Sequence, residues 1–263
     1  MSVPYYHVDS FTEELFAGNP AGVCILSTFF PDKIMQKIAA ENKHCQTAFV
    51  VPRADGDFNL RWFTPEIEDD LCGHATLASA FVLAMRGEGS WPIRFYTRSG
   101  VLSVARDDEG FEMDFPSWPP QPCQPPVELL PILGLKSAQA IMKSRDYLVV
   151  VDGPDQVREL SPDIQALAKL DIGIGGVIVT APGDGHVDYV SRFFAPAAGI
   201  GEDPVTGSIN CTLAPYWAGQ LGKQTFYTEQ LSARGGNLRC RLAGDRVKIA
   251  GKARLYLQGT LEI

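Results

Sequence analysis

The chain alternates between short apolar or alternating runs, which read as strands, and two segments that are apolar on every side, which read as buried helices. The helical segments are Gly73 to Met85, built around ATLASAFVLAM, and Cys211 to Leu221. A helix with no polar face belongs in the middle of a core, so sheet must surround each one. In the first half, strand-like runs cover Tyr5 to Phe11, Val23 to Leu26, Thr47 to Val51, Phe58 to Phe63, Ile93 to Tyr96, Gly100 to Arg106 and Gly110 to Phe115. In the second they cover Tyr147 to Val151, Gly176 to Thr180, Asp188 to Phe194, Gly236 to Leu242 and Val247 to Ile263. Between the halves, Ser117 to Pro126 (SWPPQPCQPP) holds five prolines in ten residues, which predicts an irregular inter-lobe linker.

The pattern repeats. Arg61-Trp62-Phe63-Thr64-Pro65 matches Arg192-Phe193-Phe194-Ala195-Pro196 at an offset of 131. Gly73-His74-Ala75-Thr76-Leu77-Ala78 resembles Gly207-Ser208-Ile209-Asn210-Cys211-Thr212, with Leu213 and Ala214 beyond, at an offset of 134. Arg98-Ser99-Gly100-Val101-Leu102 against Arg234-Gly235-Gly236-Asn237-Leu238 follows at 136. Three matches in one order point to a duplication. Each copy reads as a strand ending in Phe-x-Pro, an acidic loop, then a glycine opening a helix. The expected fold is therefore α+β, with two pseudo-symmetric lobes, each a mostly antiparallel sheet or barrel rolled around its apolar helix. The lobes are expected over residues 1–117 and 118–263, with the last strand free to return to the first.

Composition narrows the function classes. The 263 residues are 45% hydrophobic and 21% charged, which is globular composition, and a chain this long buries roughly 70–75% of its unfolded surface without a disulfide or metal staple. The formal charge of −8 and the lack of a basic run weigh against nucleic acid and anionic membrane as partners. No apolar stretch reaches the ~18 residues that span a bilayer, and MSVPYYHVDSFTEELF lacks a signal-peptide pattern, so the expected location is cytoplasmic. The six cysteines form no C-x-x-C pair and His7, His44, His74 and His186 have no ligand spacing, so no metal site is expected.

Candidate chemistry gathers at the two helix starts. A helix N-terminus offers unpaired N–H groups and the positive end of a dipole, and so favours carboxylates or developing negative charge. Cys72-Gly73-His74 and Thr206-Gly207-Ser208 are expected to face a common cleft, with Asp69, Asp70, Glu202 and Asp203 nearby. Such a cleft suits proton transfer at a carbon next to a carboxylate or carbonyl. The plainer readings stay open: His74 as a satisfied core histidine, Asp203-Pro204 as a helix cap, Cys72 as a small buried residue, and Gly18-Asn19-Pro20-Ala21-Gly22 as a chain reversal.

Taken together, several stretches resemble the phenazine-biosynthesis PhzF-like family, whose fold is that of diaminopimelate epimerase. They are Val8-Asp9-Ser10-Phe11-Thr12, Phe16 to Val23, Thr47-Ala48-Phe49-Val50, Phe63-Thr64-Pro65, Leu71 to Ala78, Gly201-Glu202-Asp203-Pro204-Val205-Thr206-Gly207-Ser208 and Val247 to Gly259. The resemblance implies a cofactor-independent isomerase, commonly a homodimer, that moves a proton on a small carboxylate-bearing metabolite. It places Asp203, His74 and Ser208 at active-site positions, with Gly73 as a backbone donor and Gln46 at the position of a catalytic group; Gly207, Asn19 and Cys72 complete the expected substrate-binding set. One position departs from it. Where the family's isomerase of trans-2,3-dihydro-3-hydroxyanthranilate carries a glutamate in Ser-Glu-Thr, this chain reads Cys45-Gln46-Thr47. A carboxylate accepts and returns a proton and a neutral amide only hydrogen-bonds, which sets that activity against a second reading, a binding protein that kept the cleft and lost the chemistry.

Overall fold

The two segments without a polar face are helices, and each sits in its own unit. The computed structural model describes residues 2–107, 109–173 and 175–263 and divides into Met1–Asp114 with Ala250–Ile263, and Phe115–Ile249. In chain order the first unit carries β1 (Ser2–Ser10), β2 (Asn19–Ile25), α1 (Asp32–Asn42), β3 (Gln46–Pro52), β4 (Phe58–Phe63), β5 (Glu68–Asp69), α2 (Gly73–Arg86), β6 (Ile93–Thr97), β7 (Gly100–Asp107) and β8 (Gly110–Pro116). The second carries β9 (Gln121–Pro122), α3 (Leu129–Leu133), β10 (Ala140–Lys143), β11 (Tyr147–Val150), α4 (Pro154–Arg158), α5 (Ile164–Lys169), β12 (Val177–Pro182), β13 (Tyr189–Phe194), α6 (Asn210–Leu221), β14 (Thr225–Gln230), β15 (Gly236–Ala243) and β16 (Arg246–Gly251). The last strand, β17 (Ala253–Glu262), belongs to the first unit and pairs antiparallel with β1.

The duplication read from three short matches is a repeated topology. In the first unit β2 runs parallel to β3, β3 antiparallel to β4, β4 parallel to β6 and β6 antiparallel to β7. In the second, β11, β12, β13, β14 and β15 follow the same succession. A parallel pair cannot be joined by a tight turn, so each needs a crossover, and helices supply it: α1 and α2 in one unit, α4 with α5 and then α6 in the other. Arg61 on β4 and Arg192 on β13 occupy equivalent strands, as the first match requires.

Burial explains where the helices lie. Helix α2 is buried from Gly73 to Ala80 and again at Val82 and Leu83, and it packs against β1, β2, β3 and β17. Helix α6 buries Asn210 to Ala214 and Trp217 although Pro215 interrupts its bonding. Proline has no N–H to offer the carbonyl four residues back, and that carbonyl, of Cys211, instead accepts the Trp118 N–H at 2.8 Å. Trp217 stacks on Tyr189 at 5.7 Å and donates through Nε1 to Thr180 Oγ1 at 3.1 Å, so the aromatic core of this unit is hydrogen-bonded as well as packed. No helix among the described residues is long and apolar enough to cross a membrane.

Several expectations need correction. The proline-rich segment lies within the second unit, and Gln121–Pro122 pairs with Lys143 and Met142 of β10. Its prolines confine that pairing to two residues at the margin of the sheet. In Gly18 to Gly22 only Gly18 turns, with φ +67, and Asn19 already belongs to β2; a Cβ on Gly18 would stand 2.3 Å from the Ser10 carbonyl oxygen. Pro20 is tolerated there because β3 begins to pair with β2 only at Ala21. Val247 to Ile263 is two strands broken at Lys252. The second helix starts at Asn210, so Gly207 and Ser208 occupy the turn before it. Strand β14 escaped notice because its inward positions are Phe226, Thr228 and Gln230, two of them polar.

Candidate functional site

Each unit holds one set of the predicted residues. In the first, β2 delivers Asn19 and the start of α2 delivers Cys72, Gly73 and His74. The Asn19 amide donates to His74 Nδ1 at 3.3 Å, and Cys72 Sγ lies 3.5 Å from the same nitrogen. With Nδ1 accepting, the imidazole proton sits on Nε2. That atom is fully buried and has no hydrogen-bond partner among the described residues. Burial, with a smaller contribution from His44, pushes the His74 pKa down to about 3, so the ring is neutral throughout the physiological range. A neutral imidazole that presents N–H is a hydrogen-bond donor rather than a base, suited to an oxygen that gains negative charge. The Ser10 hydroxyl holds the His74 carbonyl at 2.8 Å, which ties this turn of the helix to β1.

Gln46 opens β3 and is buried; its Nε2 donates to Asp69 Oδ2 at 3.0 Å. Its carbonyl oxygen, Oε1, is buried and has no hydrogen-bond partner among the described residues. Asp69 is held by the strand pairing of β5 with β4, where it lies opposite Trp62, and its Oδ1 accepts the Leu71 N–H at 3.4 Å.

In the second unit Asp203 is buried and stands on the loop between β13 and α6. Its N–H donates to the Phe193 carbonyl at 3.0 Å, and its carboxylate accepts from the Thr206 hydroxyl. Gln230, buried on β14, staples this loop: Nε2 donates to the Asp203 carbonyl at 2.6 Å and Oε1 accepts the Thr206 N–H at 2.8 Å. Nothing in the sequence signals Gln230, because its partners are backbone groups brought together by the β13–β14 pairing. Ser208 and Gly207 lie just beyond, where their carbonyls accept the N–H groups of Cys211 and Asn210 in the first turns of the helix.

One further element appears in both units. Arg61 forks onto Glu68, Nε to Oε1 at 2.7 Å and Nη2 to Oε2 at 2.6 Å. Arg192 forks onto Glu202 at 2.7 and 2.9 Å. Arg192 Nη1 also donates to the carbonyl of Leu160 at 2.7 Å, and more weakly to those of Val157 and Arg158. Each glutamate immediately precedes an aspartate, Asp69 or Asp203, so a bidentate clamp sets the backbone from which each carboxylate projects. Replacing Arg192 by methionine, which leaves Glu202 and the carbonyls without their donor, should cost about 3–5 kcal/mol of stability in urea unfolding. A loss below about 1 kcal/mol would show that the clamp is only a surface pair.

The family model described as phenazine biosynthesis-like protein matches residues 8–259. A Pseudomonas aeruginosa protein named as an uncharacterized isomerase is 49% identical, with all of both chains covered. The mouse phenazine biosynthesis-like domain-containing protein 2 is 38% identical over 99% of each chain. Among solved structures, a PhzF-family phenazine biosynthesis protein of Enterococcus faecalis superposes with a TM-score of 0.95 at 44% identity over the whole of both chains. A family model that matches residues 8–259, joined to sequence identity and structural superposition from end to end, makes this chain a member of the phenazine biosynthesis-like PhzF family.

Proposed function

We propose that the protein is a cofactor-independent isomerase that moves a proton on a small carboxylate-bearing metabolite. The observation that carries this reading is the neutral His74, whose Nε2–H is buried at the start of a helix without a partner among the described residues. In the proposed reaction a carboxylate, Asp203, takes a proton from a carbon of the substrate; the C–H electrons pass into the adjacent carbonyl or carboxyl group. His74 Nε2–H and the N–H groups of the first helical turn hold the oxygen that gains charge. Asp203 then returns the proton to a different carbon of the conjugated substrate, which completes an isomerisation with one acid–base group. The relatives named as isomerases support this class of chemistry.

The test is incorporation of solvent deuterium. The protein is incubated in deuterated water with a panel of small α-amino and 2-hydroxy carboxylates and with trans-2,3-dihydro-3-hydroxyanthranilate, and loss of substrate C–H signals is followed by NMR. The reading requires catalysed exchange with at least one of them. Binding without exchange would favour the second reading, a protein that holds a small carboxylate and does no chemistry, for which the amide at position 46 is the supporting observation.

Gln46→Glu tests the site in a different way. It sets a second carboxylate about a hydrogen bond's length from Asp69, and two carboxylates so close hold one proton between them. The native state of the variant then binds more protons than its unfolded chain, so its stability falls as pH rises above the ordinary carboxylate range. Urea unfolding at mildly acidic and at neutral pH, below the range in which the buried thiols titrate, should show the variant losing stability relative to the wild type as pH rises; parallel curves would remove the Gln46–Asp69 contact from the account.

A further inference from the structure

We infer that Asp69 supplies the negative charge that the resemblance places at position 46, so that residues 46 and 69 form an amide–carboxylate pair whose single charge sits one hydrogen bond away from the expected glutamate. This rests on the proton-transfer reading above and deepens it by naming a second carboxylate of the site.

Three observations carry it. The first is the contact itself: Gln46 Nε2 donates to Asp69 Oδ2 at 3.0 Å while Gln46 Oε1 is buried with no partner among the described residues. An amide oriented by a carboxylate has no choice of direction, because only its NH2 end can face the acceptor, so the unpartnered end must be oxygen. The second is the internal repeat. Asp69 precedes Gly73 by four residues as Asp203 precedes Gly207, and Glu68-Asp69 corresponds to Glu202-Asp203 at the same offset of 134 that relates the two glycines. The third is that the equivalence is structural as well as sequential. In both units an arginine on the strand forks onto the glutamate, and the following aspartate lies beside the residue after that arginine: Asp69 opposite Trp62 in the β4–β5 pair, Asp203 bonded to the Phe193 carbonyl. Asp69 is thus built into the first unit by the same device that builds Asp203 into the second.

The chemistry follows from the pair. A glutamate at position 46 beside Asp69 would add a charge that the site already holds, and glutamine avoids that repulsion while keeping the hydrogen bond. Asp69 is therefore a carboxylate of the reaction, and Gln46 is an amide whose oxygen is left to accept an N–H or O–H from the substrate.

The test moves the charge across the hydrogen bond. Asp69→Asn leaves two amides and no carboxylate. Asp69→Asn combined with Gln46→Glu reverses the polarity of the bond, with the asparagine donating to the glutamate, and restores one carboxylate at position 46. Deuterium exchange is measured on the panel member that the wild type turns over fastest, and near-ultraviolet circular dichroism confirms native packing in each variant. We expect Asp69→Asn to lose about 10²-fold or more in exchange rate and the double variant to recover at least a tenth of the wild-type rate. A purely structural role for Asp69 would not be rescued by moving the charge. Should the double variant fail to fold, the acid limb of the exchange-rate profile of Gln46→Glu decides: it lies at higher pH than in the wild type if the pair is part of the reaction, and an unmoved limb refutes the inference. Full activity in a folded Asp69→Asn variant, or a folded double variant as inactive as the single one, also overturns it while leaving the proposed function standing. Absence of exchange by the wild type on every panel member removes both.

Discussion

Asp203→Asn should lower proton exchange by about 10²–10⁴-fold while the protein stays folded, because the substitution removes the only atom change that matters, an acceptor that can be protonated. The contacts around the residue survive it. The Thr206 hydroxyl still finds an amide oxygen where it found a carboxylate, and the bonds to Phe193 and Gln230 are made by the backbone of residue 203. Thermal unfolding should therefore shift little, with the loss confined to turnover. Replacing Gln230 by alanine should do the opposite in kind, loosening the loop that carries Asp203 and lowering stability and turnover together. A well-folded Asp203→Asn variant with near-normal exchange would remove Asp203 from the mechanism.

Acid should destabilise the protein through His74 by about 1.4 kcal/mol per pH unit below about pH 6.5. The sign follows from where the proton goes. Burial holds the native imidazole neutral down to a pKa of about 3, whereas the unfolded chain takes up the proton near the ordinary value of 6.5. Between those limits the unfolded state binds more protons than the native one, so stability is complete above the upper limit and drains as pH falls toward the lower. Between about pH 6.5 and 4.5 the contribution amounts to roughly 2 kcal/mol, a sizeable part of the stability of an ordinary domain. His74→Asn removes the titrating group, and its urea-unfolding free energy should fall less steeply over that interval. Equal slopes for the two proteins would mean that His74 is accessible to water and charges readily, and its role as a neutral donor would fall with that result. The same argument places the acid limb of the exchange rate with the carboxylates, since an imidazole that stays neutral adds no inflection near pH 6.5.

How much of this was legible along the chain depends on the range of the interactions. The two apolar helices were plain because a pattern with no polar face has one home, and the strands at Phe58 to Phe63 and Gly110 to Pro116 were plain because alternation is a local signal. Helix α1 was missed although it is amphipathic, since Met35, Ile38 and Ala39 make only a narrow stripe on a polar surface. At the site, the residue types at positions 74 and 203 pointed to proton chemistry from sequence. The state of His74 did not, because its tautomer is set by Asn19, which lies 55 positions away and arrives through the β1–β2 pairing.

By itself the sequence determined that the protein is a duplicated α+β chain with an apolar helix at the heart of each half, because periodicity, repeat offset and composition act over a few residues at a time or over the whole chain at once. Only the tertiary structure decided what each polar group does. Which end of the Gln46 amide is hydrogen-bonded, which nitrogen of His74 accepts, and which carboxylate an arginine clamps are set by neighbours 7 to 55 residues distant along the chain. The physical reason is that protonation and hydrogen-bond direction respond to desolvation and to partners within about 3–4 Å, quantities that exist only once strands remote in sequence are paired.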